Sequence, residues 1–566
     1  MFQARYYHTG RKCWLEVIDP AEVLLARKPA EVETLLESVE ARCQAGMQAI
    51  GFVTYEASGA IDPALVHHEP GQLPLAAFAI FQTAREVEPP DGDVSQALAP
   101  DITEAEFGER IRRIHGYLES GDTYQVNITH RLRGTVTGSA GAVFGALYRA
   151  QPSPLAVLIE TDDYAICSVS PELFFERKGL SLRVEPMKGT RPRGRFPDED
   201  ESFRNALACS AKDRAENLMI VDMMRNDLGR IAETGSVRPD SLFAIRAFPT
   251  VWQQVSSVSA RSPASLARIF AALFPCASVT GAPRVRTMEI IRELENSPRG
   301  VYTGAIGVVE PGGDARFSVA IRTLVINKHS AEAEYGVGGG IVWDSSAVTE
   351  WEECATKAGI LSHGRGDFEL LETCRYSPLE GVYLEDLHLG RLASSAAALG
   401  YPWPGEEIRH QLRSLQAEHP LRVRLRLSRT GQVSLEHTPL AAISTPVRLR
   451  LAREPVDSSN YLLFHKTTRR DVYEQARRAD SDDVILFNEK GELTETTIYN
   501  LFIERDGELL TPALHCGLLP GTFRQHLLEQ NQAREAVLTL QDLKTATRIH
   551  VGNSVRELCD ALYLPD

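Results

Sequence analysis

The sequence predicts at least two domains of mixed α and β structure, on three observations. Its 566 residues exceed the roughly 150 that one domain needs. Apolar residues alternate in some stretches and recur at helical spacing in others, so strands and helices intersperse. The polar, glycine-containing stretch S-H-G-R-G-D at 362–367 breaks the pattern. It predicts domains at 1–362 and 367–566 with a linker at 363–366.

Composition narrows the class. A hydrophobic content of 43% with 24% charged residues is that of a globular protein. The net charge of −15 argues against a general nucleic-acid binder. The 9 cysteines contain no C-x-x-C pair and predict reduced thiols. MFQARYYHTGRKCWL lacks an apolar signal-peptide core, and no apolar run is long enough for a bilayer. A cytoplasmic protein without membrane or nucleic-acid partners is expected. No H-E-x-x-H, Walker A loop or G-x-G-x-x-G occurs.

In chain order, residues 1–100 predict an α+β start, with apolar strands near 49–55 and 75–81 and a surface connection over 86–101. Thr103 then caps a helix whose apolar residues are Phe107, Ile111, Ile114 and Leu118. Strands are expected after Gly121 and at 155–160, 164–168, 173–177 and 180–184. A helix over 203–229 precedes strands in 236–259. Helices at 264–274 and 283–295 flank P-C-A-S-V-T-G-A-P-R, a turn at a helix N-terminus that suits an anion. Strands follow at 302–310, 317–326 and 333–337, ended by Gly338, Gly339 and Gly340, and then a helix. Past the boundary come a strand, a helix at 387–399, and strands at 421–427, 447–453 and 484–487.

Chemistry concentrates first at M-K-G-T-R-P-R-G, 187–194. Lys188 is placed between a strand and a glycine- and proline-bearing turn, beside three arginines that suit a carboxylate ligand. Nearby positive charge and desolvation lower the pKa of such an amine toward reactivity; the same residues alone also suit a solvated basic loop. Glu350 and Glu353 share a helix face, and Glu216 lies in another helix. Carboxylates of this kind suit Mg²⁺, or simply a solvated face. The glycine triplet suits a strand end or a ligand contact.

The order G-D-T-Y-Q-V-N-I, S-P-E-L-F, K-G-T-R-P-R-G, K-D-R-A-E-N-L-M-I-V-D, R-N-D-L-G-R, S-V-T-G-A-P-R, Y-T-G-A-I-G, I-R-T, G-G-G-I-V and E-W-E-E-C-A-T-K resembles the chorismate-utilising enzymes. That group includes anthranilate, aminodeoxychorismate, isochorismate and salicylate synthases. The resemblance implies two facing sheets with helices and the active site between the sheets. It implies that Glu216, Glu350 and Glu353 hold Mg²⁺, and that Glu172 is the acid or base near the leaving C4 hydroxyl. Arg322, Tyr302, Lys357 and the backbone of Gly338 and Gly339 would clamp the substrate's acidic groups, with Thr280 and Gly281 opening the anion-binding turn. Arg284 stands where the family usually has lysine. Anthranilate synthases carry a small residue at the position of Lys188, whereas aminodeoxychorismate synthases carry lysine, so the resemblance makes Lys188 a covalent catalyst.

The second part contains L-L-E-T-C-R, L-H-L-G-R-L, H-K-T-T-R-R, L-T-E-T-T-I-Y-N-L-F, L-P-G-T-F-R and V-G-N-S-V-R-E-L and resembles the fold-type IV pyridoxal-phosphate enzymes. The resemblance implies that Lys466 carries the cofactor and Glu495 faces its pyridine nitrogen. Arg391, Thr497, Ile498, Ser554 and Val555 would cradle its phosphate, with Asn500 supporting the loop. The arginines of L-R-V-R-L-R-L-S-R suit a solvated strand face better than a substrate carboxylate. Together the two resemblances imply amination of chorismate to aminodeoxychorismate, then release of pyruvate to give 4-aminobenzoate. The alternatives are anthranilate chemistry in the first part or an amino-acid aminotransferase in the second. No glutaminase motif is present, so ammonia from a separate glutamine amidotransferase is expected, as is a homodimer through the second part.

Overall fold

The computed structural model describes residues 2–92, 95–248, 251–363 and 368–565. It divides into one unit of Met1–Arg193 with Glu201–Gly366 and another of Asp367–Asp566 with Gly194–Asp200. The expected linker, 363–366, lies outside the described residues beyond its first position.

The first unit contains two ten-stranded sheets. One runs, in spatial order, from Gly281–Ala282 through Gln125–Thr137, Glu332–Ile341, Thr323–Asn327 and Tyr164–Ser168 toward Phe2–His8 and Cys13–Val17. The other runs from Met187–Pro192 through Val251–Arg261, Ser181–Val184, Leu173–Lys178, Ala315–Val319 and Ala305–Val309 to Gln48–Val53 and Ala76–Phe81. Sheets covered on both faces need strands that are apolar on both faces. Ala76–Phe81 and Ala305–Val309 are accordingly buried throughout. A core including Tyr6, Phe52, Ile159, Ile166 and Ile306 fills the space between the sheets. The outer faces pack helices, Pro29–Gln44 and Leu266–Leu273 on one sheet and Glu104–Glu119 and Arg284–Leu294 on the other. Thr103 caps Glu104–Glu119 as expected, its Oγ1 accepting from the Glu106 amide at 3.2 Å while Glu106 Oε2 accepts from the Thr103 amide at 2.7 Å.

Several elements differ from expectation. The single helix expected over 203–229 is two, Pro197–Cys209 and Ala211–Gly229, because Ser210 takes the Asp213 amide at 3.2 Å and caps a new start. The strand expected over 317–326 is also two, in different sheets, and between them Arg322 adopts φ +52° where the chain crosses over. Gly338, Gly339 and Gly340 do not end their strand; they lie within Glu332–Ile341, opposite Thr129, Ile128 and Asn127. The connection expected over 86–101 holds two strands, Arg85–Val87 and Ser95–Pro100.

The second unit has a four-stranded antiparallel sheet centred on Leu370–Ser377 and Leu421–Leu427. In L-R-V-R-L-R-L the four apolar residues are buried, while Arg426 turns outward to Glu436 at 2.8 Å, the solvated-face reading. In the eight-stranded sheet, Leu493–Thr496, Asp483–Phe487, Val447–Leu451, Glu557–Tyr563, Arg548–Asn553 and Asn500–Arg505 follow in that order. Leu493–Thr496 also pairs with Asn500–Arg505, so these strands close a ring. No helix among the described residues is long and apolar enough to cross a membrane.

Candidate active sites

The first unit holds a cavity of about 470 Å³ lined from both sheets. Lys188 reaches it from Met187–Pro192, a strand rather than the expected turn. That strand shifts register against Val251–Arg261 between Met187 and Thr190, and Gly189 takes φ +84° there. Such a bulge re-aims a side chain. Across the cavity the glycine strand leaves bare backbone. A Cβ on Gly340 would stand 2.6 Å from Lys188 Nζ, and one on Gly339 would stand 2.9 Å from Glu350 Oε2. Gly340→Ala is therefore expected to displace the amine and to slow any reaction at Lys188 by about 10- to 100-fold. Steady-state rates for each unit's reaction check this, with the second unit's rate unchanged.

The helix Ala347–Ala358 supplies Glu350, Glu353 and Lys357 from one face. Lys357 Nζ pairs with Glu353 Oε1 at 2.6 Å and donates to the Gly338 carbonyl at 2.9 Å. Arg322 donates to the Lys357 carbonyl and is buried. The Tyr302 ring lies under Gly336, where a Cβ would come within 2.3 Å of it. Glu172, in the turn before Leu173–Lys178, accepts from Ser278 Oγ at 2.6 Å. All these groups and Glu216 line the cavity.

Burial dominates their charge states. It pushes the Glu172 carboxyl up to about 7, against the Ser278 hydroxyl and the Lys188 charge. It pushes Glu216 up to about 7 as well, and raises Glu350, where the Glu353 charge adds to the effect. Burial works to raise Glu353 too, but the Lys357 ammonium outweighs it and holds that carboxyl low. The Lys188 amine is lowered by burial, opposed by Glu216.

Some expected residues are elsewhere. Thr280 and Gly281 do not line the cavity. Thr280 is buried, with its hydroxyl donating to the Cys276 carbonyl at 3.1 Å, and Gly281 packs against the Gln125 carbonyl. Of the three arginines after Lys188, only Arg191 lines the cavity, bound to Asp213 at 2.8 Å. Arg193 stacks on Trp252, and Arg195 pairs with Glu199 at 2.7 Å. Arg284 pairs with Asp227. Ser278, Asn127 and Asp213 were not singled out in the sequence; nothing in their spacing marks them, since they meet only in the fold. Among the described residues no three His, Cys, Asp or Glu side chains cluster as a ready-made metal site. Glu216, Glu350 and Glu353 all line the one cavity, with Glu353 paired to Lys357.

In the second unit Lys466 follows the short helix Tyr461–Phe464, and its carbonyl accepts from the Leu371 amide at 2.8 Å. Burial, then the Arg391 charge, lowers its amine to about 8. Glu495, on Leu493–Thr496, is raised to about 7 by burial, opposed by the Leu519 amide at 3.0 Å and the Tyr473 hydroxyl at 2.9 Å. Asn500 Nδ2 donates to the Leu519 carbonyl at 3.1 Å, the loop support expected of it. Arg391 is fixed by Glu372 through Nε at 2.8 Å and Nη2 at 2.6 Å. It also donates to the Pro520 carbonyl at 3.0 Å, at the start of the helix Thr522–Glu529.

Of the rest of the expected phosphate cradle, Thr497, Ser554 and Val555 hold contacts within the unit. Both the amide and the hydroxyl of Thr497 donate to Asp483 Oδ1, at 3.1 and 2.6 Å. The side chain of Ile498 is exposed, the Val555 amide donates to Asn553 Oδ1 at 3.0 Å, and the Ser554 hydroxyl donates to the Thr373 carbonyl at 3.3 Å. The residues missed are Glu372, His388 and Thr522. His388 Nδ1 lies 2.6 Å from Glu372 Oε2, and its Nε2 lies 3.4 Å from the Thr522 hydroxyl. The signal was present in L-P-G-T-F-R, where glycine and threonine open a helix beside an arginine.

Residues 3–363 match the family described as chorismate binding enzyme, and residues 369–561 match amino-transferase class IV. The chain is 43% identical over 272 residues to aminodeoxychorismate synthase component 1 of Klebsiella aerogenes, covering 48% of this chain and 60% of that protein. It is 38% identical over 288 residues to an anthranilate synthase component 1 of Haloarcula marismortui, covering 50% and 58%. The structure of anthranilate synthase component I from Streptococcus pneumoniae superposes with a TM-score of 0.52 at 25% identity, covering 64% of this chain and 90% of that one. The chain spans about three fifths of the length of the curated relatives it matches.

Proposed function

This chain belongs to the chorismate binding enzymes through residues 3–363, and on that premise we propose that it makes 4-aminobenzoate in two steps. The first unit aminates chorismate to aminodeoxychorismate. The second eliminates pyruvate from that product. The observation that carries the reading is the half-buried Lys188 amine, lowered in pKa and set against Gly340 in the cavity that holds Glu172 and Glu216.

In the first step the Lys188 lone pair bonds to the ring of chorismate, the ring double bond shifts and the C4–O bond breaks. The hydroxyl takes the proton of Glu172 and leaves as water. Ammonia then bonds at C4, the double bond shifts back and Lys188 is released. Arg322 and Lys357 face the substrate's carboxylates, and Tyr302 braces the glycine floor. Glu216 and Glu350, both raised by burial, lack enough positive charge of their own and suit Mg²⁺, which takes one or two protein carboxylates plus water. Bound there, Mg²⁺ supplies neutralisation of a substrate carboxylate.

In the second unit a lowered lysine, a buried carboxyl and an arginine at a helix start fit pyridoxal phosphate. Lys466 would hold the aldehyde carbon, Glu495 the pyridine nitrogen, and Arg391 with Thr522 the phosphate. The cofactor supplies an electron sink. Released from the aldehyde carbon when the substrate's amine takes its place, Lys466 would carry away the C4 proton. The C4–H electrons would form the ring's third double bond as the C3–O bond breaks and pyruvate leaves as its enol.

Ammonia is supplied by a separate glutamine amidotransferase, and the second unit pairs with its copy as a homodimer; a monomeric mass at micromolar concentration would count against the dimer. The test of the whole reading is product analysis with chorismate, Mg²⁺, pyridoxal phosphate and ammonium: 4-aminobenzoate supports it and anthranilate sinks it. Because Glu172 acts in its protonated form and titrates near about 7, the first step is expected to slow as pH rises through neutrality. Initial rates of aminodeoxychorismate formation against pH check this, and a rate that instead climbs with pH contradicts the acid role.

A further inference from the structure

Gln125 opens the strand Gln125–Thr137 and is fully buried. Among the described residues, neither the nitrogen nor the oxygen of its carboxamide has a hydrogen-bond partner. Its backbone is tied in, the carbonyl accepting from Thr123 Oγ1 at 3.0 Å, so the side chain alone is unmatched. A buried polar group left so costs about 1–3 kcal/mol, and each such group calls for an explanation.

Its location supplies one. A Cβ placed on Gly340 would stand 3.0 Å from Gln125 Nε2 and 2.6 Å from Lys188 Nζ. The two side-chain ends therefore flank the same stretch of bare backbone. Asn127, two residues on and on the same strand face, lines the cavity into which Lys188 reaches. Rotation about the terminal bond exchanges the oxygen and nitrogen of the carboxamide, so either can be turned toward the amine.

We infer that Gln125 is a positioning residue for Lys188: its carboxamide oxygen accepts one hydrogen of the amine and turns the lone pair toward the cavity. An amide suits this task because it directs the amine without adding charge. A carboxylate at the same place would hold the nitrogen as ammonium and remove its lone pair. The glycine at 340 is the complement of this arrangement, since any side chain there would press on both groups. The inference rests on the reading of Lys188 as the attacking amine.

Two variants test it. Gln125→Met removes the hydrogen-bonding end at similar volume, and Gln125→Glu keeps the shape and adds the charge. Both are expected to lower kcat for chorismate amination by about 10- to 100-fold while KM for chorismate stays within about twofold. Gln125→Glu is also expected to slow acetylation of Lys188 by acetic anhydride, read by peptide mass spectrometry against the exposed Lys178 of the same molecule. The inference is overturned if either variant, with melting temperature retained, keeps wild-type kcat. It is equally overturned if the loss is confined to KM, or if Lys188 in Gln125→Glu is acetylated at the wild-type rate. The acetylation arm reads the amine without turnover, so it stands apart from the covalent reading, which fails separately if Lys188→Ala remains fully active.

Discussion

Lys188→Ala is expected to reduce aminodeoxychorismate formation by on the order of 10³-fold or more, the scale of losing a group that makes and breaks the bond. Supplied aminodeoxychorismate should still be converted by the second unit at the wild-type rate. The substitution removes the Lys188 amine and one of the positive charges that oppose the burial of Glu216 and Glu172, while Lys212 and Lys357 remain. A loss of chorismate binding alone would appear in KM, whereas loss of the attacking group appears in kcat. Lys188→Met, closer in volume, should behave alike. Retained turnover in both variants would remove the covalent role and leave Lys188 a binding group.

Lys466→Ala is expected to have the second large effect, and to divide the reaction. Wild type should release 4-aminobenzoate, while the variant should accumulate aminodeoxychorismate, with the second step slowed by on the order of 10³-fold or more. The long-wavelength absorption of lysine-bound cofactor should vanish with it. The amine is the one the fold prepares, lowered to about 8 by burial and by Arg391, with Glu495 in electrostatic reach. If wild type itself accumulates aminodeoxychorismate and instead forms glutamate from an amino acid and 2-oxoglutarate, the second unit is an aminotransferase.

What the sequence disclosed depended on how local the signal was. Glu350 and Glu353 were legible because a helix repeat alone puts them on one face, and Lys357 on that face came only from the resemblance. The cap at Thr103 was legible because its partner, Glu106, is three residues away. The glycine triplet was misread as a strand end, since glycine weakens a strand in general; here it continues one, with the Ile128 carbonyl and the side chains of Glu350, Lys188 and Gln125 where a Cβ would stand. The split at Arg322 was invisible because both halves have strand composition, and only the destination sheet differs. Thr497 looked like a phosphate donor until Asp483, 14 residues away, took both its hydrogens. Glu372 is 19 residues from Arg391, a pairing no periodicity announces.

The closed ring in the second unit has a consequence for how the chain acquires its shape. Val447–Leu451, the first of the ring's strands in sequence, pairs in parallel with Glu557–Tyr563, the last. That last strand lies between Val447–Leu451 and Arg548–Asn553 rather than at an edge. A chain emerging from the ribosome therefore cannot close the ring around Glu495 until more than a hundred residues beyond Val447 have been made. Pairings so distant in sequence form slowly. Disruption of Glu557–Tyr563 would open the sheet in its middle, whereas the strands of the first unit all precede residue 342.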